Sequence, residues 1–544
     1  MEMQGRKCGR ALHAAPQGVD AVPVCLMHSK DPAKHESPLY VRFYLEFKSI
    51  LTDASQGTAD FTRFVVPHLR LGSSGVEPHC VFTEAVFEED INFYNVVFKR
   101  GVEFTGASFA GSFRCDQTTF EGEADFQYVT FGGHASFGET VFMKQTQFFG
   151  SRFAEAGIFT KATFYGLADF GGVEFGAQTN FSGATFKGTG LFQNSSIHSA
   201  AFLDTTFEDI ADFSEVSFAH ESVFPRTRFL GEVDFTGAGF GGETVFLASQ
   251  ISRRCLFIAA RFLSSVSFRY TKFRDDDLLE PGPVFTLAQF PSDGKAEFYR
   301  TNLSHALFHN CDITNVVFSS VIWRKRPGTQ NLMVFEEDIP LDHEQASTLR
   351  LEDGSRDYGL IAQLYQQLKK NCDDRLDYWA ADHFHFGEME MQRLAVPTTG
   401  PLLGLRQFYH RNLSLVAWYR RGSSYGNAYV RPAVWLLVVL VVFSLLFPLT
   451  GLQKASPNSI APAPAPLTYR SVWAAQSSLH DKVWAGAKLV GKSALVTLDT
   501  ATFQRSPEYT PAYPYGRVLA IVETLLTATL LALFLLAVRR QFRR

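Results

Sequence analysis

One residue type recurs along this chain at a fixed interval, and that interval excludes most folds. A first phenylalanine series runs Phe82, Phe93, Phe104, Phe126, Phe137, Phe148, Phe159, Phe170, Phe181 and Phe192, a step of 11, with Cys115 in the one gap. A second runs from Phe87 through Phe98 and Phe109 to Phe186 and ends at Ile197. After one deleted residue both resume at Phe202 and Phe207 and continue to Phe268 and Phe273, so 33 of 36 ladder positions are Phe. The frame begins at Phe82 and leaves Phe61 outside. Intervals alternating 5 and 6 fit neither the 3.6 period of a helix nor the 2.0 period of a flat strand. The residue two before each Phe is mostly small or β-branched, as at Ala107, Thr118, Ala124, Thr140, Ala168 and Thr205. One large and one small inward side chain per five or six residues describe one face of a tightly coiled solenoid. Gly172, Gly183, Gly188 and Gly241 are expected at its corners, where positive φ costs glycine little. From Ala296 the step becomes a strict 5 through Phe298, Leu303, Phe308, Ile313, Phe318 and Trp323.

These residues resemble the pentapeptide-repeat family, whose pattern is A(D/N)LXX with Leu or Phe at the centre; "ADFQYVTF" at Ala124 and "ADFGGVEF" at Ala168 carry it. The resemblance covers residues 80–323 and implies an all-β, right-handed quadrilateral β-helix with Phe93, Phe104, Phe126, Phe137, Phe148, Phe159, Phe170 and Phe181 in its core. Four faces per turn make the 36 positions nine turns, a rod of about 43 Å at about 4.8 Å per turn before the strict-5 section is added. The extra residue in every second repeat and an irregular stretch from Arg274 to Lys295 depart from the family pattern. The frame also puts Cys115 at a Phe position and Cys80, Cys255 and Cys311 at small inward positions, as reduced core thiols.

At 544 residues the chain has room beyond the solenoid, and its C-terminal end is apolar. Residues 433–452 carry no charge and residues 518–538 only Glu523, each about the 20 residues that span a bilayer. Arg420, Arg421 and Arg431 precede the first run, and Arg539, Arg540, Arg543 and Arg544 follow the second. The positive-inside rule puts both flanks in the cytoplasm and residues 453–516 outside. The N-terminal residues, polar from Met1 to Gly18, show no signal-peptide stretch, so the solenoid is expected on the cytoplasmic side. Within 453–516, Asp481 to Phe503 reads as a semi-apolar, pore-helix-like segment. A helix, a re-entrant helix and a second helix resemble the two-transmembrane pore module of potassium-type channels. "TLDTATFQ" stands where that family has Thr-Thr-Val-Gly-Tyr-Gly, and "YGRVLAIVE" resembles the start of its inner helix. The resemblance implies pore-like roles for Thr497, Thr500, Thr502, Gln504 and Glu523. Thr502 and Gln504 replace the glycines that aim carbonyls down a filter, so strong potassium selectivity is not expected. Glu523 faces water or a subunit interface on one reading and is an interfacial carboxyl that snorkels or is protonated on the other.

Other motifs carry less. "GAKLVGKS", Gly486–Ser493, matches the phosphate-binding loop pattern but lacks a strand before it, so a small-residue helix face is the simpler reading. Residues 1–50 hold a Cys/His segment and a helix. Cys8, Cys25 and His28 resemble a short zinc knuckle, with His13 or His35 as the fourth ligand that structural zinc normally requires; an unmetallated tail is the alternative. In "DHFHFGEMEM", His383 and His385 are two residues apart and do not share a helix face. Residues 350–430 contain two amphipathic helices broken at Asn371–Asp374, resembling one tetratricopeptide-like hairpin, followed by a juxtamembrane linker. No catalytic cluster stands where a pocket could form, so an enzyme is not expected.

Three readings follow. The first is a membrane-anchored repeat protein of a bacterial cell membrane, with an ion-channel-like homo-oligomeric pore and the solenoid as cytoplasmic scaffold or sensor. The second is a non-conducting, membrane-tethered scaffold with a protein partner on the solenoid. The third is a DNA mimic acting on topoisomerases. Residues 82–273 carry 14 Lys/Arg against 22 Asp/Glu, too mild an excess for a duplex mimic, and the net charge of −4 points to no nucleic-acid partner.

Overall fold

A chain with inward side chains at every fifth or sixth position can bury them only by coiling. The computed structural model, which describes residues 9–72, 75–274, 280–395, 403–454, 465–502 and 508–542, does coil. Two-residue strands recur four to a turn, and each pairs in parallel with the strand about 22 residues further on. Ala124–Asp125 thus lies between Val102–Glu103 and Thr146–Gln147. The strands stack into parallel ladders of 11, 20 and 9 strands, the largest formed by two faces of the coil. The β-solenoid makes about 12 turns from Thr58 to Ser319. At roughly 4.8 Å per turn that is a rod of about 58 Å.

The solenoid starts about 22 residues before the Phe frame. Phe61, Val66, Leu71 and Val76 are buried at the positions that later turns fill with Phe. Phe61, which the ladder left outside, is 0 % exposed and stacks on Phe82 at 4.8 Å. The described part of the irregular stretch, from 280 on, is also coiled: Phe285 stacks on Phe257 at 5.0 Å and on Phe308 at 5.1 Å.

Ring geometry explains the 11-residue step. Rings one turn apart stack, as Phe148 on Phe170 at 4.8 Å and 4°. Rings half a turn apart meet edge to face, as Phe159 on Phe170 at 5.3 Å and 87°. Offset stacks and T-shaped contacts are the two favoured aromatic pairings, and a Phe interior satisfies both at once. Where the small inward residue before a second-series position is Ser or Thr, its hydroxyl donates to a main-chain carbonyl of the preceding turn. Ser195 reaches Phe170 at 2.6 Å, Thr205 reaches Phe181 at 2.8 Å and Thr227 reaches Phe202 at 2.7 Å. Before a first-series Phe it donates two residues back, as Ser222 does to the His220 carbonyl at 3.4 Å. The core therefore admits hydroxyls without leaving them unpaired. The buried thiols of Cys80, Cys255 and Cys311 are free, and burial pushes those of Cys80 and Cys311 up to about 12.

The corners are of two kinds. After each first-series Phe the second residue is left-handed, at Gly172 and Gly183 but also at Glu139, Lys161 and Arg226. Gly188 and Gly241 do not have positive φ. They are glycine because successive turns touch there: a Cβ on Gly188 would lie 2.5 Å from the Gly166 carbonyl oxygen.

Both ends of the solenoid are closed within the N-terminal unit. Helix α1 (Leu39–Ala54) lays Phe47 on Phe61 at 4.4 Å. Helix α2 (Tyr358–Asp374) supplies Asn371, whose Nδ2 donates to the carbonyls of Ile313, Thr314 and Val316 at 3.0, 2.9 and 2.6 Å. Main-chain carbonyls of the last turn are thereby satisfied by a side chain.

The second unit, from Cys372, is helical. Its helices are α3 (Tyr378–Leu394), α4 (Leu403–Asn412), α5 (Leu415–Ser423), α6 (Val430–Thr450), α7 (Tyr469–Ala474), α8 (Leu479–Ala501) and α9 (Pro514–Gln541), with a two-stranded antiparallel sheet of Leu452–Lys454 and Tyr509–Pro511. The break before α3 falls at Arg375–Asp377, later than Asn371–Asp374, because Asp377 is the N-cap and accepts from the Ala380 N–H. Helices α6 and α9 are long and apolar enough to cross a membrane; α6 starts three residues before the apolar run 433–452 and ends two residues short of it, and α9 extends beyond 518–538 on both sides.

Candidate functional site

Three helices build the site. α6, α8 and α9 pack on one another around Phe443, Phe447, Leu489 and Val496. Each of the three helices also buries polar side chains: Ser444 on α6, Ser493 and Thr497 on α8, and Glu523 and Thr527 on α9. Ser444 Oγ lies 3.4 Å from Thr497 Oγ1, and Thr527 Oγ1 donates to the Glu523 carbonyl at 2.9 Å. A cleft of about 340 Å³ opens between α6 and α8 with Ser444 and Thr497 in its lining.

Glu523 is the unusual member. It is 0 % exposed, and neither carboxylate oxygen has a hydrogen-bond partner among the described residues. The Ser493 hydroxyl is also buried without a partner among the described residues. Glu523 is the tenth residue of α9, about 14 Å from the helix start at 1.5 Å per residue. A side chain with no exposed surface does not snorkel.

The structure buries only part of the pore-like set. Thr497 and Glu523 are both buried, Thr497 beside Ser444 of α6. Thr500 is inside α8 with its hydroxyl donating to the Val496 carbonyl at 2.7 Å. Thr502 is the C-cap of α8, its Oγ1 donating to the Leu498 carbonyl at 2.7 Å. Gln504 lies outside the described residues. The segment from Thr497 to Ala501 is therefore helical, its side chains rather than a run of carbonyls facing the neighbours. Ser444, Ser493 and Thr527 were missed, since hydroxyl residues in apolar helices show no contact until the packing is known.

The "GAKLVGKS" stretch is also inside α8, with Lys492 over the Tyr509 ring at 5.5 Å, so no phosphate-cradling loop forms there. Cys25 Sγ and His28 Nδ1 are 3.1 Å apart, close enough to share one ion. Cys8 lies outside the described residues, and His13 and His35 instead face Asp31 at 2.9 Å and Glu89 at 2.8 Å. The described residues thus offer zinc two donors of four, and no group of three forms among them. His385 faces Glu388 at 3.5 Å, and His383 packs edge-on to Trp379 at 4.3 Å.

Next to the apolar helices a polar cluster ties α3 to α9. Arg540 Nε donates to Asp382 at 2.5 Å, and Tyr425 donates to Glu390 at 2.8 Å. Arg393 pairs with the same Glu390 at 2.6 Å. Burial pushes the Glu390 carboxyl up, but the hydrogen bonds from Arg393 and Tyr425 outweigh it and hold the group below its ordinary range. No protein-family model, no curated protein and no solved structure matches the chain.

Proposed function

We propose that this chain is a membrane-anchored, pentapeptide-repeat-like protein whose α6–α8–α9 module forms an ion-channel-like pore in a homo-oligomer, with the solenoid as cytoplasmic scaffold or sensor. Glu523 carries the reading. A carboxylate buried without a hydrogen bond costs several kcal/mol, so one chain alone is a poor home for it. Ionisable residues inside apolar helices typically face a bundle interior or a water-filled path and pair there with an ion or another chain. The buried hydroxyls of Ser444, Ser493, Thr497 and Thr527 fit the same setting, since polar side chains join apolar helices in a bilayer. Arg clusters at the outer ends of both apolar helices support cytoplasmic flanks. The proposal assigns no catalytic step and no nucleic-acid partner.

The test is current through planar bilayers containing the purified full chain. Cation-preferring current without strong potassium selectivity is expected, because a carboxylate ring favours cations while Thr502 stands where a filter needs glycine. Glu523→Gln should lower the cation preference several-fold and leave membrane insertion intact. Strong potassium selectivity, or a current unchanged by Glu523→Gln, would overturn the pore. Silence under voltage and tension would leave the tethered scaffold, with a protein partner on the solenoid, in its place.

A further inference from the structure

We infer that α4 and α5 lie flat on the membrane surface and hold anionic phospholipid headgroups, an inference that rests on the membrane-anchored reading above. From Met391 to His480 the sequence contains no Asp or Glu. Arg406, His410, Arg411, Arg420, Arg421 and Arg431 all fall in this stretch ahead of or at the start of α6, and all are exposed. Among the described residues only Arg420 reaches a carboxylate, Glu390 at 3.5 Å.

The same two helices expose a large apolar surface. Leu405, Phe408 and Tyr409 sit at i, i+3 and i+4 of α4, the spacing of one helix stripe, and all are exposed. On α5, Leu415 is 88 % and Trp418 59 % exposed. An apolar, aromatic-rich face of this extent marks an interaction site. Its position says which one. α5 ends at Ser423, α6 begins at Val430, and α5 packs against both α6 and α9. The apolar face is therefore tethered where α6 would enter a bilayer, the level at which Trp and Tyr concentrate. Helices with an apolar aromatic face and flanking Arg lie in that plane. The charge selects the lipid: each Arg near an anionic surface strengthens binding about fivefold. A second copy of this face would meet like charge with like charge, which disfavours self-pairing.

The test is hydrogen–deuterium exchange of the full chain in nanodiscs of phosphatidylcholine alone and of phosphatidylcholine with phosphatidylglycerol. Peptides from 403–423 should exchange about fivefold or more slowly in the anionic discs. The triple variant Arg406→Gln/Arg411→Gln/Arg421→Gln should abolish that difference while solenoid peptides around Phe148 keep their protection, which shows that the chain is folded. Equal exchange in both lipids with α6 and α9 protected would overturn this inference and spare the anchoring. Free exchange of α6 and α9 in both discs would overturn the two together. Protection that follows chain concentration and ignores lipid would assign the face to a second copy and overturn the lipid assignment.

Discussion

Phe113 and Cys115 exchange the sizes that the neighbouring repeats give to their inward pair. Elsewhere the residue two before the ladder position is mostly small or β-branched, as Ala124 is before Phe126 and Ala135 before Phe137. Here the large ring comes first; Phe113 is buried and reaches Phe109 at 4.6 Å and Phe137 at 5.4 Å. In the sequence Cys115 looked like a single missing Phe, because a periodic search registers the gap and not the compensating ring two residues earlier. Cores tolerate exchanges that conserve total volume and resist those that do not. Phe113→Ala should therefore cost about 3–5 kcal/mol and Cys115→Phe about 1–3 kcal/mol through overpacking. The double variant Phe113→Ala/Cys115→Phe should recover most of both losses. Urea unfolding of the detergent-solubilised chain measures all three, and additive losses would show that the two side chains do not share one space.

At the scale of elements, the ladder was legible where a single residue type filled it and illegible where aliphatics did. The first turn uses Val66, Leu71 and Val76 with Phe61, so its period vanishes among ordinary apolar residues although its packing is the same. Phe170→Ala in the middle of the column should lower stability by about 3–5 kcal/mol, and Phe61→Ala should cost as much, since Phe61 lies between Phe47 and Phe82. A Phe61→Ala loss under about 1 kcal/mol in the same urea measurement would remove the first turn from the core. The N-terminal end also has a pH signature. Lys34 is fully buried, donates to the Ser29 and Val65 carbonyls at 2.9 and 2.5 Å, and sits over the Phe43 ring. Burial pushes its ammonium down from 10.5 to about 8. Between pH 8 and 10.5 the unfolded chain therefore binds more protons than the folded one, and stability rises with pH across that window. Relative to Lys34→Met, the wild-type chain should gain about 2–3 kcal/mol as pH rises from 8 to 10, read as the difference in urea midpoints. A difference that stays flat would mean the ammonium is not desolvated.

For the whole molecule, composition and periodicity separated a Phe-filled solenoid from an apolar C-terminal end, and the two compact units divide at Asn371. Glu523 was legible as the one carboxylate in either apolar run. Its complete burial was not, because that depends on α6 and α8 packing against α9, which no local pattern encodes. The resemblance to a pore module likewise located Thr497–Gln504 without revealing that α8 stays helical to Ala501, a matter of hydrogen bonding rather than residue spacing. On the proposed reading, everything the solenoid does takes place at the inner face of a membrane spanned by α6 and α9. Thiol labelling with a membrane-impermeant maleimide on intact cells tests that most directly, because the described cysteines are buried and give little background. The exposed sites Glu139→Cys on the solenoid and Ser477→Cys between α7 and α8 supply the two probes. Labelling of Ser477→Cys in intact cells, with Glu139→Cys labelled only after lysis, is the expected result. Glu139→Cys labelled in intact cells while Ser477→Cys stays protected would contradict it.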